Sequence, residues 1–156
     1  DFRFQTKIEF IYRSHQPPIH YYRYGGESSN GVPKYTTTTY TTSDRGINLI
    51  KYYESCKLEA YYDKYGKVWT IGYGHTGKDV YEGLVITKEK AEQLLIQDLK
   101  EKEKYVNSKN YDTPVLNQNQ SDALVSFTYN VGQKNLKELC YGKTLDQIAN
   151  KITLYN

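Results

Sequence analysis

The 156-residue chain contains no methionine, one tryptophan, four phenylalanines, four prolines and two cysteines. Each scarcity closes something off. Without methionine there is no initiator, so the chain reads as a processed product or a cut piece of one, and no signal-peptide pattern remains in it. Cys56 and Cys140 are too few and too far apart for a metal motif or a disulfide framework. They read as two buried thiols, with a single bridge open to them if the protein is exported. Long apolar runs are absent: no stretch approaches the roughly 20 residues a membrane-spanning helix needs. Charge is nearly balanced, 21 basic against 18 acidic side chains for a net +3. That is far from the basic stripe of a nucleic-acid binder, although it leaves a mildly basic surface for an anionic partner. The three histidines, His15, His20 and His75, lack ligand spacing, which argues against a metal site. The run Gly72–Thr76 lacks the lysine and spacing of a phosphate loop, and neither a serine elbow nor a Cys/His pair is present.

What the chain does have is the balance of a soluble globular domain, 38% hydrophobic and 25% charged, and enough length for a core. Tyrosine is in excess, with 18 copies. That suits sugar-binding or interface surfaces, and it follows equally from biased codon usage. Residues 1–43 differ from the rest. FRFQTKIEFIY alternates like a strand, and the following Pro/Gly-punctuated, Thr-rich stretch reads as turns and a tether or edge strand. From Ser43, a good N-cap, the spacing of Ile47, Ile50 and Tyr53 predicts a helix over 44–56. Residues 58–63 and 67–73 read as a hairpin around a Lys64–Tyr65–Gly66 turn. A long helix follows Thr87, with Ala91, Leu94, Leu95 and Val106 facing a core. Another begins after Asn117, with Ala123, Leu124, Phe127 and Val131 as its stripe and Gly132 at its end. Two shorter helices are expected near 134–141 and 144–152.

The chemistry-bearing stretch is ESCKLEAYYDKYGKVWTIGYGHT, residues 54–76. Two carboxylates on different elements bracketing a turn are what glycoside hydrolysis requires: one kept protonated as an acid, one ionised. Glu54 lies at a helix's negative end, where its pKa is expected to rise. Asp63 closes the near strand, and the Thr70 hydroxyl both donates and accepts, as bridging a water to a carboxylate demands. The bland alternative is that a lone Glu at a helix end is surface. His75 reads as a structural residue hydrogen-bonding near the acid, with a role as base the competing reading.

Residues 46–76 resemble the N-terminal lobe of phage-type lysozymes, the endolysin or muramidase family. VITKEKAEQLLIQDL resembles that family's lobe-linking helix, and LNQNQSDALVSFTYNVG its core helix of the second lobe. The resemblance covers roughly residues 45–141 in order, and WTIGYGHT is its most specific piece. It implies an α+β lysozyme-like fold: a small hairpin-containing lobe and a helical lobe joined by a long helix, with a substrate cleft between them. It implies catalytic roles for Glu54, Asp63 and Thr70, glycan contacts for Thr76, Tyr129 and Asn130, and no cofactor or metal. The implied reaction is cleavage of the β-1,4 bond between N-acetylmuramic acid and N-acetylglucosamine of bacterial peptidoglycan, by a secreted, phage-released or virion-associated enzyme.

Three departures accompany it. One residue more than the family pattern separates Asp63 from Thr70; a longer turn keeps Thr70 in place, whereas a slipped register turns it away. Ser55 stands where the family has Gly. The chain stops at Asn156, short of the family's closing helices, so a domain over 44–156 is expected to expose faces such as Phe127 and Val131 unless a second chain, or residues 1–43, cover them, or the chain is a cleaved fragment. The rival readings are a wall-binding or structural module without the reaction, and one piece of a larger phage-tail or secreted antibacterial assembly.

Overall fold

The computed structural model describes residues 39–111 and 113–154. The strand and most of the tether expected over 1–43 lie outside them. Helix α1 spans Asp44–Tyr53, with the Ser43 side chain accepting from the Gly46 amide and Asp44 in the positive first turn. It ends earlier than expected. Glu54 is its C-cap, in extended conformation, with its amide still bonded to Ile50. The aromatic pair before it favours extended chain, and β1 begins three residues on, at Lys57.

Strands β1 (Lys57–Asp63), β2 (Val68–Gly72) and β3 (His75–Thr76) form one antiparallel sheet in that order. Asp63 pairs with Val68, Tyr62 with Trp69 and Tyr61 with Thr70, and a bulge lies between Lys57 and Tyr61. The hairpin loop is therefore the four residues Lys64–Lys67, not three, with Lys67 in the left-handed region (φ 55°). The additional residue is absorbed in the loop rather than in the strand register. The third strand is too short to carry a period, and the sequence gives no warning of it.

Helix α2 (Lys88–Val106) starts at Thr87, whose side chain accepts from the Lys90 amide. It packs on β2 at one end and on α3 (Gln118–Val131) at the other. Helix α3 opens with a capping box in which Asn117 and Gln120 satisfy each other's amides. Helices α4 (Gln133–Cys140) and α5 (Leu145–Lys151) and a 3₁₀ turn over Ile152–Leu154 follow.

Two cores result. The small one joins Ile71 of the sheet to Val80 and Leu94, with Trp69 and Ile86 around it. The large one gathers Ile50, Leu95, Leu99, Leu124 and Phe127 with Leu136, Leu139, Cys140, Ile148 and Ile152. Phe127, expected to be exposed, is 1% exposed, and Val131 is partly buried against the same core. The reason is local: α4, α5 and the final 3₁₀ turn supply the apolar side chains that cover α3. Both cysteines are free; Cys140 is buried, which pushes its thiol up to about 12, while Cys56 is only half-buried.

The segment just before α1 is fixed to the helical lobe. Glu103 accepts from the Thr42 amide and hydroxyl at 2.9 and 3.0 Å. Gln118 donates to the Thr41 carbonyl at 2.8 Å, and Asn107 to that of Tyr40 at 3.3 Å. At Gly46 a Cβ would stand 2.8 Å from Asp122 Cγ, so only glycine lets α1 approach α3 this closely.

Candidate active site

A cleft of about 480 Å³ is lined by Glu54, Tyr61, Asp63, Thr70, Gly74, Thr76, Asp98, Glu101, Lys102, Tyr129 and Asn130. One wall is the sheet. Because Tyr61 pairs with Thr70 and Thr70 with Thr76, these three form a single cross-strand row, and Asp63 follows Tyr61 by one strand period on the same face. The opposite face of the sheet carries Ile71 into the small core. Alternation along the strands thus decides which residues face the cleft.

The helix cap supplies Glu54. Burial raises its carboxyl above the ordinary range, and the hydrogen bond from Asn130 of α3 pulls the other way without cancelling it. The direction is the one expected, but the leading cause is desolvation rather than the helix end. Asp63 accepts from the Tyr65 amide at 3.0 Å, which ties it to its own turn. The Thr70 side chain is almost wholly buried and donates to the Val68 carbonyl at 3.3 Å, so toward the cleft it offers lone pairs.

Tyr129 ties the lobes together by donating to the Tyr73 carbonyl. Its own hydroxyl is held far above the ordinary tyrosine range, by burial first and then by the charges of Asp98 and Glu54. The contact depends on Gly74, whose φ is +97°; a Cβ there would lie 3.2 Å from the Tyr129 hydroxyl and 3.9 Å from Glu54 Oε2.

His75 is buried behind the cleft rather than lining it. Its Nδ1 lies 2.8 Å from Asp98 and its Nε2 2.9 Å from Asp79. A ring with a carboxylate on each nitrogen satisfies both only as imidazolium. Burial opposes that charge, but the two carboxylates outweigh it, and the His75 pKa is raised. Asp79 is lowered by its bond to His75, whereas burial raises Asp98.

Glu54, Asp63, Thr70, Thr76, Tyr129 and Asn130 therefore meet in one cleft, and His75 reaches it only through Asp98. Sequence reasoning missed Tyr61, Gly74, Asp98, Glu101 and Lys102. Tyr61 stands one strand period from Asp63, and Asp98, Glu101 and Lys102 share one face of α2 at helical spacing; both periodicities were there to be read.

Comparison with known proteins follows the same outline. The family described as Phage lysozyme matches residues 51–155. An endolysin of Bacillus phage B103 is 47% identical over 100 residues, covering 61% of this chain and 36% of its own length. An endolysin of Salmonella phage P22 is 44% identical over 95 residues, covering 58% of this chain and 63% of its own. Among solved structures, the muramidase domain of SpmX from Asticaccaulis excentricus superposes with a TM-score of 0.58 at 37% identity, covering 71% of each chain. The match thus spans about a third of the length of the Bacillus phage relative and under two thirds of that from phage P22.

Proposed function

Since the chain belongs to the phage lysozyme family, with the lysozyme-like α+β fold, we propose that residues 44–154 form a peptidoglycan hydrolase domain that cuts the β-1,4 bond between N-acetylmuramic acid and N-acetylglucosamine. The observation that carries this reading is the convergence of Glu54, Asp63 and Thr70, from a helix cap and two strands, on one cleft.

Glu54 is the proton donor. Burial raises its carboxyl above the ordinary range, which favours the protonated form that gives a proton to the glycosidic oxygen. As the C1–O bond breaks, positive charge develops on the ring, and Asp63 in its ionised form supports it. Thr70 has committed its proton to Val68, so it receives one hydrogen of a water while Asp63 receives the other. That leaves the water's lone pair for C1. The water's proton passes to Asp63 and from it to solvent, its hydroxyl to C1, and Glu54 is reprotonated from solvent. Tyr129 and Asn130 hold the helical-lobe side of the glycan and Thr76 the sheet side. Attack by a water between the two carboxyls gives inversion.

As in the endolysins it resembles, the wall is the place of action. Among the described residues no helix is long and apolar enough to cross a membrane. The test is release of reducing ends from purified peptidoglycan by the full chain, compared with Glu54→Gln. Equal release by that variant with its fold intact overturns the assignment, and binding without release favours the wall-binding alternative.

A further inference from the structure

The charge on the cleft wall is lopsided. Glu54, Asp63, Asp98 and Glu101 bring carboxyl groups to it; with Glu54 as the protonated donor and Asp98 paired to the His75 imidazolium, Asp63 and Glu101 still outnumber Lys102, the one basic side chain among the described residues that line it. A wall glycan is itself anionic, because every muramyl unit carries a carboxylate on its lactyl substituent or on the peptide built upon it. An acidic cleft repels such a strand unless a cation offsets the repulsion where the substituent passes.

Lys102 is free to be that cation. The acids near it on α2 are hydrogen-bonded to other groups, Asp98 to His75 at 2.8 Å, Glu101 to the Tyr105 hydroxyl at 3.1 Å and Glu103 to the Thr42 amide at 2.9 Å, although Asp98 still feels the Lys102 charge. No carboxylate among the described residues lies within ion-pair distance of its ammonium. Its contact is with the Tyr105 ring, 6.0 Å from Nζ to the centroid, which steadies the half-buried stem and leaves the three N–H donors unspent. It lies one helical turn beyond Asp98, itself held on a lining wall by His75, so its position relative to the catalytic carboxylates is fixed by α2.

We infer that Lys102 is a specificity-determining residue that receives the carboxylate of the muramyl substituent and so sets which sugar occupies the α2 side of the cleft. This rests on the hydrolase reading above. An isolated exposed pair is worth little, but a half-buried, charge-assisted contact in a cleft is worth more, so a preference of roughly 3- to 10-fold is expected.

The experiment measures kcat/KM of the full chain on three forms of one glycan preparation. These are strands with peptide stems, the same strands after amidase removal of the stems, which leaves lactyl carboxylates, and the stem-bearing strands with every carboxylate converted to a carboxamide by carbodiimide and ammonia. The wild type should favour the charged forms over the amidated one, more so at low ionic strength. Lys102→Ala should bring that ratio close to one, Lys102→Glu should invert it, and Lys102→Arg should keep it. A preference surviving amidase treatment assigns the lactyl carboxylate; one lost with the stems assigns the peptide. An unchanged ratio in Lys102→Ala, or no preference in the wild type, overturns the inference and leaves the hydrolase reading standing. No release from any of the three forms overturns both.

Discussion

The His75 ring meets the Asp98 carboxylate through Nδ1 at 2.8 Å, and in doing so joins strand β3 to helix α2 across the back of the cleft. Asp79 closes on Nε2 at 2.9 Å from the other side. Because the folded pKa of His75 is raised above its ordinary 6.5, the stability it contributes is complete below that value and is lost as pH rises through the folded pKa. The lowered pKa of Asp79 works in the other sense: its contribution is present above 3.8 and is lost as pH falls through its folded value. Substituting His75→Asn should therefore cost about 1–3 kcal/mol in weakly acidic solution and much less at alkaline pH. Thermal melts of both proteins across pH check this, and a pH-independent difference would count against the charged bridge.

The polypeptide advertises its elements where one side-chain period dominates. Asn117 with Gln120, Thr87 before a charged helix, and Ser43 before Asp44 announce the starts of α3, α2 and α1, since each cap answers a local need of orphan amides. Glu54, Asp63 and Thr70 could be picked out as candidates because glycoside hydrolysis needs two carboxyl groups on separate elements, and the three do line one cleft. What stayed hidden is tertiary. Lys102 and Asp98 look like any solvated helix face until α2 is laid beside the sheet. Burial of Phe127 depends on short helices whose packing no pattern in α3 reveals. The fixing of Tyr40–Ser43 to α2 and α3 rests on hydrogen bonds between residues more than sixty positions apart.

In the proposed mechanism Glu54 combines a stability cost with a catalytic need. Its raised pKa means the charged form is disfavoured in the folded state, so its contribution to stability falls as pH rises from the ordinary carboxyl value of 4.5 through the folded one. Glu54→Gln should thus melt higher than wild type above that range while losing at least about 100-fold in kcat, the usual scale for a removed general acid. The alkaline limb of the wild-type activity profile should lie above 4.5, at the raised pKa of this group. Asn130→Ala, which removes the hydrogen bond favouring the ionised form, should move that limb further toward alkaline pH. A limb that moves toward acid in the variant would contradict the assigned donor.

The loop Lys64–Lys67 decides whether Thr70 can take the water-positioning role proposed for it. With Asp63 paired to Val68 and Thr70 to Tyr61, the hydroxyl stays on the cleft face. Thr70→Val keeps the branched shape that suits a central strand and removes the acceptor, so the melting point should hold while kcat falls about 10- to 100-fold, as for a misplaced reactant. Loss of stability in proportion to activity would mean that Thr70 is only a packing residue. The same water-positioning scheme fixes the stereochemistry: proton NMR of fresh digests should show the inverted, α-configured reducing end first. Initial β-product would require a covalent route and would remove the water from between Asp63 and Thr70.

Asp122 fixes the far end of the helix that delivers Glu54. Only 4% exposed, it accepts from the Ser43 amide at 3.0 Å, from the Ser43 hydroxyl, and from Gln118 Nε2 at 2.8 Å. Asp122→Ala leaves those donors facing an emptied site at the α1–α3 contact, and should cost about 2–4 kcal/mol, the scale for stranding buried polar groups. Asp122→Asn keeps one acceptor oxygen and should cost less. Since α1 carries Glu54 at its other end, loosening the Ser43 attachment should also lower kcat in the alanine variant at temperatures well below its melting point, with KM changing less. Normal kcat alongside a lowered melting point would show instead that the Lys51–Glu92 ion pair and the Ile50 contacts suffice to hold the acid in place.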